Sequence, residues 1–287
     1  MNLTIWRHFQ IQTPDDWEIV QFSRNRQRGH LHFADRYQYR MVFHWVYSSS
    51  EPDLDRLADD SASRLRRQDD VRDVTVKSLH QWRGAVTELD DATHTSFAAY
   101  YPGERCLIEV TFFTPGARDE RMENKVLKSI REEPAAAGYR RWRAFGMDLL
   151  ASDDLPLQRV IAQPANAQMV FGEVNNPLRE EKFERLGLIA EWLTGSVADW
   201  VRKRAPREVT VREQTDADYH SHHYDIVVGD RPVAGASRLL GRRSSYAARA
   251  WICPVDGRLY CATVSGGKPL DGQPPLRNRL RCCDDVR

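Results

Sequence analysis

Cysteines in the C-terminal half are the residues of this chain whose types could hold a metal. Cys253 and Cys261 bracket a "DG" turn signal between two predicted strands, and Cys282 and Cys283 stand side by side further along. Four thiolates are a ligand set that suits structural zinc, although the paired C-x-x-C knuckles typical of such sites are missing. The alternative is a core role, which we expect for Cys261 and at least one of the last pair, because free thiols are often buried.

Histidines in "DADYHSHHYD" form a second candidate metal site in the same half. On an extended strand His220 and His222 would point to one side, and imidazole is the commonest metal ligand. A helical H-E-x-x-H spacing, which would help to complete a tetrahedral site, is missing from this half. We therefore expect an exposed polar loop leading into the strand "YDIVV", and zinc binding by these histidines is the alternative.

The motifs of nucleophilic and phosphate chemistry are missing from the sequence. It contains neither a G-x-S-x-G elbow nor a G-x-x-x-x-G-K-[ST] loop. Cys106 lies in the apolar run "ERCLIEVTFF", where burial would raise the pKa of its thiol and keep it inert. We therefore predict no catalytic residue, and no cofactor apart from the zinc alternative.

Large aromatic side chains near the ends of predicted strands are candidates for a partner-binding surface. Rings at such positions offer much contact area at a small entropic cost, which is why they recur at interfaces. The candidates are Trp45, Tyr47, Trp82, Tyr100 and Tyr101. The alternative is that these rings belong to the core, where aromatic residues of strands usually lie.

The elements that must position these residues occur in the same order on both sides of a break at "REEPAAAGYRRW". In each half an aromatic opening precedes early strands, a helix, further strands and a closing helix. The inserted helices are "PDLDRLADDSASRLRR" and "SVADWVRKR", and the words that follow them, "VTVKS" and "VTVRE", are nearly identical. This order predicts an internal duplication, with domains at 1–132 and 142–287 joined by a linker at 133–141.

Two segments of the second half complete this prediction. "LGLIAEWL", residues 186–193, is predicted as the strand before the inserted helix, and "PLRNRLRCC", residues 275–283, as the closing helix. Runs of strands separated from helices, rather than strict alternation, indicate an α+β fold with two tandem antiparallel sheets.

The segments "FQIQTPDDWEI", "PDLDRLADD", "WRGAVTEL", "YYPGERCLIEVTFF" and "VLKSIRE" carry, in this order, a resemblance to a known fold. Each half resembles the PsbP-like fold, which the PsbP subunit of the oxygen-evolving complex shares with the Ran-binding nucleotide-release factor and the DcrB-like proteins. Members of that fold mostly bind a protein partner, stabilise an assembly or act as chaperones. The resemblance therefore implies a non-enzymatic accessory or chaperone-like protein that binds a protein partner, within a larger assembly.

Composition and charge argue against partners other than protein. The 287 residues carry a net charge of +1, so no global field draws the chain to nucleic acid or to an anionic lipid surface. No window approaches the roughly 20 apolar residues that cross a bilayer, and the N-terminus does not read as a secretory signal. We therefore predict a cytoplasmic protein with reduced thiols. The alternative to the binding protein is a metal-dependent enzyme or a zinc-stabilised module in the C-terminal half.

Overall fold

The computed structural model describes residues 1–173, 176–219, 222–232, 243–266 and 276–282. The chain divides into two units, Met1–Pro134 and Ala135–Arg287, called unit 1 and unit 2. Each unit consists mainly of antiparallel strands with a few helices, which confirms the antiparallel, α+β character of the prediction. Across the described ranges, no helix combines the length and the apolar character needed to cross a membrane.

Unit 1 begins with a hairpin and continues into a seven-stranded sheet. Its elements are β1 (Asn2–Trp6), β2 (Phe9–Thr13), β3 (Glu18–Phe22), β4 (Arg28–Ala34), β5 (Tyr39–Tyr47), α1 (Leu54–Leu65), β6 (Val71–Leu79), β7 (Trp82–Leu89), β8 (Ala92–Tyr101), β9 (Cys106–Pro115), α2 (Glu120–Ser129) and β10 (Arg131–Glu132). The sheet has the order β3-β4-β5-β9-β8-β7-β6, and β2 pairs with both β1 and β10. The chain thus forms β3, β4 and β5 before α1. After α1, strands β6 to β9 run from the far edge of the sheet back to β5 at its centre.

Alternation along β5 explains how this sheet packs. Met41, Phe43 and Trp45 are buried on one face, which is the period of a half-buried strand. Phe9 of β2 packs against Phe43 with ring centroids 5.8 Å apart. The hairpin of β1 and β2 therefore covers this face of the sheet.

Helix α1 covers part of the opposite face. It begins after Asp53, whose carboxylate accepts a hydrogen bond from the backbone N–H of Arg56. Ala62 of α1 packs against Val74 of β6 and Ala85 of β7, and the helix also contacts β8. The strands that α1 contacts are thus those on one side of the sheet's centre.

Unit 2 is built in the same way. Its elements are β11 (Tyr139–Ala144), β12 (Met147–Ser152), β13 (Leu157–Gln163), β14 (Asn166–Glu173), β15 (Asn176–Leu186), α3 (Ile189–Trp192), α4 (Val197–Arg204), β16 (Thr210–Tyr219), β17 (His222–Pro232), β18 (Arg243–Ile252), β19 (Leu259–Ser265), a 3-10 turn (Leu276–Asn278) and β20 (Leu280–Arg281). Its sheet has the order β13-β14-β15-β19-β18-β17-β16. Helix α4 packs Val201 against a cluster that includes Val227 and Tyr246.

The two seven-stranded sheets therefore share one strand order. The turns between β8 and β9 and between β18 and β19 allow residues of the two sheets to be aligned. The turn 102–105 joins β8 to β9, and the turn 254–257 is closed by the backbone N–H of Cys253, which donates to the carbonyl of Arg258 at 2.9 Å. The last residues of these turns, Arg105 and Gly257, both have positive φ, 49° and 64°. Counted from these turns, Tyr101 of unit 1 corresponds to Cys253 of unit 2.

Two predicted segments of unit 2 take other conformations. Residues 186–193 were expected to be a strand, but β15 ends at Leu186 and α3 follows, because Leu188 turns the chain with a φ of 52°. Residues 275–283 were expected to be a closing helix, but their described part forms a 3-10 turn and β20. Leu280 of β20 pairs with Leu149 of β12, so this segment is extended and adds a strand beside β12 where a helix was expected.

The predicted linker 133–141 is also shorter in the structure. Strand β11 begins at Tyr139, which pairs with Ser152 of β12. Tyr139, Arg140 and Trp142 are all buried. The segment "YRRWRA" is basic but forms a strand. Its arginines are neutralised by ion pairs such as that of Arg140 with Asp153, whose atoms lie 2.7 Å apart.

Candidate functional site

Three of the six predicted metal ligands meet in unit 2. One donor atom from each of His222, Cys253 and Cys282 lies within 4.8 Å of the other two. The Sγ of Cys282 is 3.2 Å from the Nε2 of His222. Cys253 is fully buried and His222 is 2% exposed, so the cluster is largely closed to water.

Three different elements bring these donors together. His222 is the first residue of β17, Cys253 directly follows β18, and Cys282 directly follows β20. The turn after Cys253 is tight, since the N–H of Gly257 donates to the carbonyl of Cys253 at 2.9 Å. The "DG" signal in the sequence therefore predicted the turn that fixes Cys253.

Aromatic rings pack beside the cluster. The ring of His222 lies 5.9 Å from that of Tyr224, Tyr224 lies 5.0 Å from Trp251, and Trp251 stacks on Tyr260 at 5.6 Å. The hydroxyl of Tyr260 donates to Asp256 at 2.7 Å. The first of these rings, that of Tyr224, thus places apolar surface beside His222, and apolar surface around a metal site limits the access of solvent.

Cys261 lies apart from this cluster. It pairs with Ala250 in β18, whereas Cys253 continues from Trp251, so the two sulfurs belong to opposite faces of the sheet. Cys261 is part of the core under α4, and burial followed by the charge of Glu184 raises the pKa of its thiol to about 12. Of the remaining candidates, His220 and Cys283 lie outside the described residues.

Two of the five predicted partner-binding residues line a pocket of about 400 Å³ in unit 1. Trp45 forms a buried wall, and its indole N–H donates to the carbonyl of Asn25 at 3.2 Å. Tyr47 is 48% exposed and stands at the rim. Arg7 and Arg26 line the same pocket, which therefore combines aromatic surface with two guanidinium groups.

The positive charge in this pocket is partly desolvated. Arg7 lies in the turn between β1 and β2, has a φ of 57° and is 6% exposed. Burial and the neighbouring charge of Arg26 lower the pKa of Arg7 to about 10. Nδ1 of His8 contacts the carboxylate of Glu104, and these two side chains give the pocket one polar wall.

Cys106 also lines the pocket, but its thiol is unreactive. Burial, followed by the charges of Glu104 and Glu132, raises the pKa of its thiol to about 12, against a backbone hydrogen bond at Val46. The thiol is therefore protonated at neutral pH, as the sequence predicted.

The other three predicted partner-binding residues lie elsewhere in unit 1. Trp82 and Tyr101 are buried, with ring centroids 6.3 Å apart. The hydroxyl of Tyr101 donates to the carbonyl of Ile130 and accepts from the side-chain amide of Gln81, both at 3.0 Å. Tyr100 is half-buried on the opposite face, with its hydroxyl 3.3 Å from the carbonyl of Ser48.

The structure shows one cluster that the sequence reasoning missed, formed by His30, His32 and His44. Burial lowers the pKa of His32, and the charges of His30 and His44 lower it further. Burial also lowers the pKa of His44, more than the charge of Glu109 on the neighbouring strand raises it. The signal that could have found it is the H-x-H spacing in "RGHLHFA", opposite a third histidine in the next strand.

Comparison with known proteins supplies no family for this chain. No family model matches it, and no curated protein does. Among solved structures, a protein from Bacteroides thetaiotaomicron VPI-5482 is similar over 51% of this chain, with a TM-score of 0.29 and 13% identity. The chain spans only 50% of that protein's length.

The immunity protein TplEi of the type VI secretion system (T6SS) of Pseudomonas aeruginosa is similar over more of the chain. Its apo structure matches with a TM-score of 0.33 and 11% identity over 91% of this chain and 90% of TplEi. Its complex with "L" peptide matches with a TM-score of 0.35 and 9% identity over 93% and 98%. Because these scores and identities are low, we transfer neither fold nor function from these proteins.

Proposed function

We propose that this protein is a non-enzymatic binding protein, and that the pocket of unit 1 takes an acidic side chain or a terminal carboxylate of a protein partner. The observation that carries the proposal is the pairing of Arg7 and Arg26 with the rings of Trp45 and Tyr47 in one pocket. A volume of about 400 Å³ suits one or two side chains of a partner, not a whole element.

The chemistry of the pocket favours a carboxylate. A guanidinium presents its donors in a planar fork that matches a carboxylate, and such charge-assisted hydrogen bonds are roughly twice as strong as neutral ones. Burial of Arg7 removes competing water, so an incoming anion would interact with it more strongly than with an arginine in solution. The rings of Trp45 and Tyr47 would supply the apolar contact area around that anchor.

We also propose that the two units arose by duplication of one PsbP-like or DcrB-like module. Support comes from the identical strand order of the two sheets and from the matching turns at 102–105 and 254–257. A chaperone-like or accessory role in the cytoplasm, within a larger assembly, is the version of the binding function that this origin favours.

Binding of synthetic peptides tests the pocket. We would measure an array in which each peptide is present with a free or an amidated C-terminus, and with its acidic residues kept or changed to amides. The variant Arg26→Gln removes an exposed guanidinium of the pocket, and Arg24→Gln is the matched control from the same loop, outside the pocket lining.

We expect the wild-type protein to retain acidic peptides and to lose their neutral counterparts. Arg26→Gln should weaken binding at least about tenfold, because a hydrogen bond to a charged group contributes about 1.5–3 kcal/mol. Arg24→Gln should bind as the wild type does. Equal binding of acidic and neutral peptides, or equal loss in both variants, would contradict the proposal.

A second function is favoured by the cluster in unit 2, which we propose is a structural zinc site. Two thiols and one imidazole are a donor set that zinc prefers, and His222 and Cys253 are buried, as ligands of structural zinc sites usually are. His222, Cys253 and Cys282 would hold the ion, which would tie the first residue of β17 to the ends of β18 and β20. Bound zinc would stabilise unit 2 and perform no reaction.

Metal content measured after exhaustive dialysis tests this second proposal. We expect one equivalent of zinc in the wild-type protein and its loss in Cys253→Ala and in Cys282→Ala. Cys106→Ala is the matched control, because it also removes a buried thiol but in unit 1. Zinc retained by both cluster variants, or a wild-type protein that cannot retain added zinc, would refute the site. Cys283→Ala would show whether the next residue contributes the fourth ligand.

A further inference from the structure

Three histidines lie together on one face of unit 1. His30 of β4 is directly opposite His44 of β5, and His32 follows two residues after His30 on the same face. The ring centroids of His30 and His32 are 4.8 Å apart, and that of His44 lies 5.9 Å from His30 and 6.5 Å from His32. One ring nitrogen from each histidine lies within 4.8 Å of the other two.

This cluster lies on the same face as α1 but on strands beyond the helix. Ala85, Ser96, Thr111, Val42 and His32 are successive partners across β7, β8, β9, β5 and β4, so they share that face. Helix α1 packs against β6, β7 and β8. The three imidazoles are half-buried on β4 and β5 and can be reached from solvent.

The charge around the cluster is compatible with a cation. Glu109 of β9 is paired with His44 and accepts a hydrogen bond from the hydroxyl of Ser96 at 3.0 Å. Arg28, whose positive charge also interacts with the imidazole of His44, is exposed at the start of β4. A carboxylate beside a ligating histidine is a common second partner in metal sites.

We propose that His30, His32 and His44 bind one divalent transition metal ion, with a further coordination position open to solvent. Imidazole nitrogens suit Zn²⁺, Co²⁺, Ni²⁺ and Cu²⁺, and three histidines with an open position form an exchangeable site rather than a closed structural one. Metal–nitrogen bonds of about 2.0–2.1 Å require the ring nitrogens to approach to about 3.4 Å. Half-buried side chains can make that adjustment by rotation about their own bonds.

Titration of the full chain with Co²⁺ tests the proposal, because cobalt reports its ligands by absorption. A site with cysteine ligands gives an intense near-ultraviolet band from thiolate-to-cobalt charge transfer, whereas a histidine site gives only visible d–d bands. A first set of variants comprises His30→Gln, His32→Gln and His44→Gln. His94→Gln is the matched control, since His94 is half-buried on β8 of the same sheet and packs on Phe113 at 5.0 Å.

In protein whose unit 2 cluster has first been filled with one equivalent of zinc, we expect one equivalent of Co²⁺ to bind and to give d–d bands without the thiolate band. Its affinity should fall at least about tenfold in each of the three variants, since even loss of a residue that only supports a ligand costs 10–100-fold. His94→Gln should bind within about twofold of the wild type. Unchanged affinity in the three variants, or an equal loss in His94→Gln, would overturn the proposal.

A second measurement does not depend on any variant. Substoichiometric Co²⁺ broadens the NMR resonances of nearby ring protons in the wild-type protein. Those of His30, His32 and His44 should broaden before those of His94, and simultaneous broadening of all four would also overturn the proposal. A thiolate band without this broadening would support the unit 2 centre alone, so the two metal proposals fail independently.

Discussion

Tyr101 of unit 1 and Cys253 of unit 2 occupy corresponding positions before the matching turns, but they close the strand ends in different ways. Tyr101 reaches the carbonyl of Ile130 and the amide of Gln81 through its hydroxyl. Cys253 instead meets His222 and Cys282. At corresponding positions of one strand order, unit 1 thus has a hydrogen-bonded tyrosine where unit 2 brings two thiols and one imidazole together.

The contrast is reversed one strand further along, where the imidazole is in unit 1 and the buried polar pair is in unit 2. Glu109 stands three residues after Cys106 in unit 1 and pairs with His44, while Cys261 stands three residues after Arg258 in unit 2 and pairs with Glu184. Glu184 is buried, and its carboxylate accepts a hydrogen bond from the amide of Gln168 at 2.9 Å.

Two cations of unit 2 lie beside the buried carboxylate of Glu184. The guanidinium of Arg204 on α4 and the ammonium of Lys182 lie 2.8 Å and 3.0 Å from the carboxylate of Glu184. In unit 1 the corresponding face carries the half-buried imidazoles of His30, His32 and His44. Glu184 therefore lies buried in contact with α4, whereas the three imidazoles of unit 1 lie beyond α1 and stay half-buried.

The largest effect should come from metal removal in unit 2. With free zinc at about 1,000 times its dissociation constant, binding to the folded state adds about 4 kcal/mol to the free energy of unfolding. We expect a chelator to speed hydrogen exchange in peptides that span β17 and β18 and to leave β7 and β8 unchanged. Equal exchange with and without the chelator would show that unit 2 needs no metal.

Loss of the Glu184 carboxylate should be the next largest effect. Glu184→Ala leaves the amide of Gln168 and two cations without their acceptor, and breaking a buried ion pair costs about 3 kcal/mol. His44→Gln, measured with chelator present, should change the free energy of unfolding by no more than about 0.5 kcal/mol. Urea unfolding checks both, and similar losses in the two variants would remove the contrast between the faces.

Removal of the Tyr101 hydroxyl should have a moderate effect. Tyr101→Phe keeps the ring against Trp82 but loses two hydrogen bonds, for an expected loss of about 1 kcal/mol in the free energy of unfolding. Tyr100→Phe is the control, because its hydroxyl makes one longer contact at a half-buried position. If both variants melt at the wild-type temperature, the hydroxyl of Tyr101 does not close these strand ends.

The smallest effect is a change in pH dependence at Glu123 of α2. Burial raises the pKa of this carboxyl above its usual range, although Arg118 opposes the shift. A folded-state pKa above the unfolded one means that stability is lost as pH rises through the ordinary glutamate range. Glu123→Gln should therefore lose less, or gain more, stability than the wild type between pH 4 and pH 7. Parallel urea midpoints for both proteins over this range would contradict that sign.

Much of the fold was visible in the sequence, because both units obey simple periods. The alternation in "YRMVFHWVY" predicted β5, and "DG" predicted the turn after Cys253. The segment 186–193 was misread because its apolar letters fit a strand as well as a helix. The positive φ of Leu188, which ends the strand, has no signal in a leucine.

The candidate sites were harder to predict than the fold. They depend on which face of a sheet each side chain lies on, and on contacts between residues that are far apart in the sequence. The four-cysteine zinc alternative requires the sulfurs of Cys253 and Cys261 to lie close together, but their separation along the hairpin puts them on opposite faces. The approach of Cys282 to His222 joins residues 60 positions apart. His30 and His44 meet only because β4 and β5 pair in one register, which residue types alone do not specify.

The central claim is that one strand order carries a metal-stabilised centre in unit 2 where unit 1 carries a hydrogen-bonded tyrosine. X-ray absorption at the zinc edge, on protein loaded with one equivalent of zinc, tests it most directly. We predict sulfur ligands at about 2.3 Å together with imidazole nitrogen at about 2.0–2.1 Å. A spectrum fitted by nitrogen and oxygen ligands alone would contradict the claim.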